Sequence, residues 1–148
     1  MFPRGLIIAI SVGVIAGPIF GILFFEVGIE EQLVFVEGDS FSIVTEKTNF
    51  KIGEDVLIKI VNSGTTNLIF SDLSHGLEIR QLDGILVFKP SSGQMITSLE
   101  PQQEFEFIWN QKKNDGKQVL EGIYKITSNA ITKNENNLVK SITINILK

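Results

Sequence analysis

From residue 5 to residue 25 the chain reads GLIIAISVGVIAGPIFGILFF, an apolar run without a charge, and beyond residue 40 the pattern changes to alternation. At about 1.5 Å rise per residue the first run covers the roughly 30 Å of a bilayer's hydrocarbon core, which predicts one transmembrane helix. In the second part Phe41 and Ile43 flank Ser42, while Val56, Ile58 and Ile60 alternate with Leu57 and Lys59. Phe105, Phe107 and Trp109 alternate with Glu104, Glu106 and Ile108, and Ile142, Ile144 and Ile146 alternate with Ser141, Thr143 and Asn145. A period of two is the pattern of a strand with one face on a core. Further strands are expected at residues 67–71, 77–82, 85–89, 95–98 and 122–127. Turn residues separate them at Gly53, Asn62-Ser63-Gly64, His75-Gly76, Asp83-Gly84, Pro90-Ser91-Ser92-Gly93, Asn114-Asp115-Gly116 and residues 133–137.

Short strands with no helical segment between them predict an all-β fold: an immunoglobulin-like antiparallel β-sandwich preceded by one N-terminal transmembrane α-helix. Parallel α/β folds lack their crossover helices here. The chain divides into a membrane anchor over residues 1–26, a connector over 27–40 with an extended segment at 33–36, and the sandwich over 41–148. Asp83-Gly84 between two apolar runs predicts a tight hairpin. The Phe105, Phe107, Trp109 face is expected on the core side of a central strand, with Glu104 and Glu106 on its solvated side.

Arg4 is the only charged residue before the apolar run, whereas Glu26, Glu30, Glu31 and Glu37 follow it. The positive-inside tendency then places Met1 in the cytoplasm and the sandwich outside, on a single-pass protein of the cell membrane. A cleaved secretory signal is one alternative, but the residues after Phe25 offer no small-x-small site. The other is processing as in archaeal pilin-like proteins, whose leaders resemble Arg4-Gly5 before an apolar helix; Ile10 stands where that pattern commonly has glutamate. Gly13, Gly17 and Gly21 recur at a spacing of four and are the candidate helix-packing face, set against the plainer reading of a lone anchor with incidental glycines.

Composition narrows the chemistry. The chain has 148 residues, 43% apolar and 20% charged, which suits a packed core. It has no cysteine, which removes disulfides, thiolate nucleophiles, iron–sulfur clusters and cysteine-ligated metals. Its one histidine, His75, with Met95 is too little for a cupredoxin-type copper site. A net charge of −4 argues against a dedicated nucleic-acid binder. Asp72, Ser74 and His75 have the residue types of a hydrolytic triad, yet sequence neighbours in a loop rarely give that geometry, and a polar turn is the reading preferred. Glu104 and Glu106 share a strand face, as paired glycosidase carboxylates do, but read as the wet side of an amphipathic strand. Asp83, Glu100, Asn114 and Asp115 are oxygen donors without the spacing of a calcium loop. The expectation is a protein that is not an enzyme, with no catalytic, cofactor-binding or metal residues and no cofactor. Its partners would be membrane lipid around the helix and another protein, with no nucleic acid and no small-molecule substrate.

From Phe50 onward one family likeness is visible. It rests on Val61-Asn62-Ser63-Gly64, on Leu77-Glu78-Ile79-Arg80 with Asp83-Gly84, on Leu99-Glu100-Pro101, and on Phe105-Glu106-Phe107-Ile108-Trp109-Asn110-Gln111. It continues through Gly116, Val119 and Gly122-Ile123-Tyr124-Lys125-Ile126. In these residues the chain resembles the intracellular proteinase inhibitors of BsuPI type, which are small immunoglobulin-like sandwiches. Gln102 follows the proline where that family has glycine, and Glu121 precedes Gly122 where it has proline. The resemblance implies a protein-binding module whose partner is a protease. The alternative is a non-catalytic accessory or stator-like subunit of a membrane complex or surface appendage.

Overall fold

The computed structural model describes residues 33–148, and every regular element among them is a strand. The helix expected over residues 5–25, with its Gly13, Gly17 and Gly21 face, lies outside the described residues. Strands β1 (Ser42–Thr45), β3 (Val56–Val61) and β8 (Glu104–Trp109) form an antiparallel sheet in the order β1-β3-β8. The second sheet is built on a long ladder between β9 (Gly122–Ile131) and β10 (Asn137–Leu147), in register from Asn137↔Ile131 to Ile146↔Gly122. On the outer edge of β10 lies β2 (Asn49–Lys51). On the far edge of β9 lie β4 (Leu68–Phe70) and β5 (Glu78–Gln81), which in turn carry β7 (Thr97–Leu99) and β6 (Leu86–Phe88).

The alternation in the sequence becomes the inward face of each sheet. Val56, Ile58 and Ile60 of β3 and Tyr124, Ile126 and Ala130 of β9 are all buried, as are Ile144 and Ile146 of β10. The sheets close on one core in which Phe41 packs edge-on to Phe70 at 6.1 Å and Trp109 packs edge-on to Tyr124 at 5.9 Å. Such a two-layer arrangement lets each sheet bury one face against the other. On β8, Trp109 is buried and Phe105 and Phe107 pack against the core, while Ile108 faces water with Glu104 and Glu106. The Asp83-Gly84 hairpin forms as expected: Gly84 takes φ 89° and the Asp83 carboxylate accepts the Ile85 amide.

Four expectations are corrected. The second sheet is mixed rather than antiparallel, because β2 runs parallel to β10 with Asn49 opposite Asn145. Only Phe50 of that short strand is buried, so it offers no alternation to read. Second, β8 is the edge of its sheet and β3 the centre; alternation reports which face is buried, not how many neighbours a strand has. Third, β7 starts at Thr97, leaving Met95 and Ile96 exposed, while β9 extends to Ile131 and β10 begins at Asn137. Fourth, residues 33–36 form no strand. The entering chain is tied instead to the turn after β3, by Val36 N–H to the Ser63 carbonyl at 2.8 Å and Thr65 N–H to the Gly38 carbonyl at 2.9 Å.

One topological feature positions the candidate site. β4 and β5 are successive stretches of one line along β9: Ile69 sits opposite Ile131, and Glu78 to Gln81 sit opposite Thr127 to Tyr124. Their partners repeat the arrangement, β7 pairing β4 and β6 pairing β5. A long hairpin is thus interrupted on both arms, by residues 71–77 on one and 89–96 on the other.

Candidate functional site

The interruption begins where the sequence turns from Leu-Ile-Phe to Ser-Asp-Leu-Ser-His-Gly. Asp72 organises it. One of its carboxylate oxygens accepts the Ser74 amide at 2.9 Å, the Ser74 hydroxyl at 2.6 Å and the Gly76 amide at 3.1 Å. This is the local side-chain-to-backbone bonding that makes Asp a turn former. Burial pushes the Asp72 carboxyl up, but the Ser74 hydroxyl and the Gly76 and Ser74 amides outweigh it and leave the group below its ordinary value.

The turn throws His75 inward. Its φ of 54° is in the left-handed region, where His is one of the better tolerated residues. The ring stacks on Phe105 with centroids 4.0 Å apart and lies tilted over Phe70 at 4.7 Å, leaving the residue 8% exposed. Its Nδ1 is 3.3 Å from the Leu73 carbonyl, and its own carbonyl accepts the buried Ser128 hydroxyl at 2.6 Å. Burial is the largest influence on the imidazole and holds its pKa below the ordinary value; the Leu73 carbonyl and the Asp72 charge act the other way and are weaker. Gly76, at φ 63°, lies so close to β9 that a Cβ there would be 2.7 Å from the Asn129 carbonyl oxygen.

The facing insert is joined to this turn by the Leu73 amide, which donates to the Gly93 carbonyl at 3.4 Å, and by the Thr97 hydroxyl, which donates to the Asp72 carbonyl at 3.2 Å. The two inserts present Leu73, Met95 and Ile96 to solvent at 44%, 60% and 79% exposure. Lys89 leaves the same edge and pairs with Glu78 at 3.1 Å, beside the Arg80–Glu78 pair.

The structure brings Asp72, Ser74 and His75 into one turn but not into a relay. The serine hydroxyl donates to Asp72, and the imidazole faces a backbone carbonyl and two aromatic rings. Glu104 and Glu106 share Lys59, at 3.1 and 2.7 Å, on the solvated face of the first sheet. Asp83 and Asp115 each hold an amide of their own turn, Asn114 accepts the Lys89 amide, and Glu100 opens the Pro101 turn. Met95 is exposed while His75 is buried, so the pair does not converge. Among the described residues no group of three or more His, Cys, Asp or Glu could hold a metal ion.

Two buried amides escaped the sequence reading. The Asn62 Nδ2 donates to the Thr66 and Leu99 carbonyls at 2.8 and 2.7 Å while its Oδ1 accepts the Gly64 amide. Gln111 reaches back to β2 and its turn, donating to the Lys51 carbonyl at 2.8 Å and accepting the Gly53 amide at 3.0 Å. Asn62 itself reads as a turn residue and Gln111 lies three positions before the Asn114-Asp115-Gly116 turn, where polar side chains are ordinary, and only the fold shows that they are interior.

No family model matches the chain, and no curated protein matches it. Among solved structures it is similar to PorZ, an essential bacterial surface component of the type-IX secretion system of Porphyromonas gingivalis. The identity is 14% and the TM-score 0.37, over 72% of this chain and 11% of that one. The chain therefore spans a small part of PorZ, and a likeness of that size bears on neither partner nor activity.

Proposed function

We propose that this chain is a membrane-tethered, non-catalytic protein-binding module: an immunoglobulin-like sandwich held outside the cytoplasm by the helix over residues 5–25. It contacts a protein partner through the paired inserts at residues 71–77 and 89–96. The observation that carries this reading is the exposure of Leu73, Met95 and Ile96 on backbone fixed to the sheet by Asp72, Gly76 and His75. Apolar side chains on a rigid scaffold suit recognition, since little ordering remains to be done on binding.

The immunoglobulin-like assignment has two supports. The entering chain serves both sheets in turn, β1 pairing β3 and β2 pairing β10. At the start of β9 the Tyr124 hydroxyl donates to the Leu120 carbonyl four residues upstream at 2.7 Å, the bond of a tyrosine corner. The likeness to BsuPI-type inhibitors gains support at Gln102. It occupies the place of the family's glycine and takes φ 68°, the left-handed conformation that glycine favours.

Replacing Leu73 and Ile96 together with aspartate is expected to weaken partner capture by full-length protein in detergent at least about tenfold. Stability should change little, because both side chains are exposed. The assay pairs inhibition of a subtilisin-like protease with co-purification from the native membrane. A partner kept by the Leu73, Ile96 double variant and lost on Gly17→Leu would instead favour the accessory subunit packed through its helix. The anchor is tested separately: mass spectrometry should find residues 5–25 retained, and a tag at Lys148 should be cleaved by protease added to intact cells. A mature amino terminus beyond Phe25, or a protected tag, overturns that part.

A further inference from the structure

His75 is the chain's one histidine and therefore the side chain whose ordinary titration falls nearest neutrality. It is also the inward end of an insert whose outward end is Leu73. Its ring fills the space between Phe70 and Phe105, and its backbone is seated by Ser128 and by the close approach of Gly76 to Asn129. The neutral imidazole is a good occupant of that space, because its flat ring stacks on Phe105 and only Nδ1 has a polar neighbour.

An imidazolium there loses most of its water, the residue being 8% exposed, and meets few charged groups in return. β4 and β7 carry no charged residue, and neither does β1, whose neighbour Phe41 packs on Phe70. Glu104 and Glu106 of β8 point to the other face, where Lys59 holds them. On β9 the inward residue is Ser128, and Lys125 is exposed. The Leu73 carbonyl at Nδ1 favours the cation, and the one carboxylate that does so is Asp72, whose engaged oxygen already accepts three donors while Lys89 also acts on its charge. The Phe105 face attracts a cation as well, and burial, the largest influence set against the Leu73 carbonyl and the Asp72 charge, acts in the opposite direction.

We infer that His75 is an acid-released clasp for the candidate binding edge: neutral, its ring pins residues 71–77 between the sheets, and protonated it leaves, loosening that insert and residues 89–96 with it. The coupling to the second insert runs through the Leu73 amide and the Gly93 carbonyl, so a shift of the turn moves the ground on which Leu73, Met95 and Ile96 stand. The biological consequence, weaker partner binding in acid, rests on the reading of these inserts as the binding surface. The clasp itself does not.

The test uses the full-length protein in detergent micelles with histidine isotope-labelled at the ring Cε1, which yields a single resonance because there is one histidine. Between about pH 8 and about pH 4 the His75 signal is expected to start displaced by the Phe105 ring current. It should titrate below free histidine in the same buffer and end at the free imidazolium position. Amide exchange over residues 71–77, corrected for intrinsic rate, should lose about tenfold protection for each unit by which that midpoint is lowered, while β10 stays constant. His75→Phe keeps the stack without the titration and should make the exchange pH-independent. If that variant fails to fold, the wild-type titration alone decides. A midpoint at or above that of free histidine, a ring-current displacement that survives protonation, or pH-invariant exchange over residues 71–77 overturns the inference. Because no partner is present, these outcomes are separate from those of the Leu73, Ile96 double variant, which is read at neutral pH.

Discussion

Replacing Gly64 with alanine is expected to destabilise the sandwich by about 4 kcal/mol or more, in the range of changes that force atoms into occupied space. The added Cβ would stand 2.2 Å from the Gly38 carbonyl oxygen and 2.7 Å from the Ser40 amide nitrogen, and both are backbone atoms that no rotamer change can move. The turn cannot back away, since the buried Asn62 side chain holds it by the Gly64 amide and by the Thr66 and Leu99 carbonyls. The entering chain cannot retreat without breaking Val36 N–H to Ser63 O and Thr65 N–H to Gly38 O. Gly84→Ala is the matched control. It carries φ 89° with open space around it, so it should cost only the backbone strain of about 1–3 kcal/mol. Urea titration of the two variants measures the difference, and equal midpoints would mean that the close approach at Gly64 does not exist.

Trp109→Ala is expected to cost about 3–5 kcal/mol, the range for deleting a buried aromatic side chain. The residue is fully buried, packs on Tyr124 and Phe88, and donates its indole N–H to the Lys112 carbonyl at 2.9 Å. Its loss leaves both a cavity between the sheets and an acceptor without its donor. Three positions earlier, Glu106→Ala should stay within about 0.5 kcal/mol of wild type, because its carboxylate is half exposed and Lys59 keeps Glu104. That β8 is an edge strand leaves this order unchanged, since the cost follows the face and not the number of neighbouring strands. A larger loss for Glu106→Ala would mean that β8 faces the other way.

The pH dependence of global stability follows from the same buried imidazole. A histidine held below its ordinary pKa takes up protons more readily in the unfolded chain, so stability rises with pH through that window. The contribution is complete above about pH 6.5 and is lost as the pH falls below it. His75→Phe should flatten that part of the stability profile.

By itself the sequence determined that the described part is all-β and which face of most strands is inward. Val56, Ile58 and Ile60, like Phe105, Phe107 and Trp109, sit on the side that alternation assigned to them. It also determined the Asp83-Gly84 hairpin and the polar turn at Asp72, because strand faces and tight turns are properties of residues two to four apart. The tertiary structure decided the rest. β2 exists as a strand because β10, far along the chain, offers it an edge, as the Asn145–Asn49 bond across 96 positions records. β4 and β5 form one interrupted line because β9 supplies a common register. His75 looked like one more polar residue of a turn, and it is interior because Phe70 and Phe105 close on it from strands in different sheets. Local periodicity carries the sign of burial at each position, whereas the partner at that position is chosen by contacts between distant segments, which no short window of the chain contains.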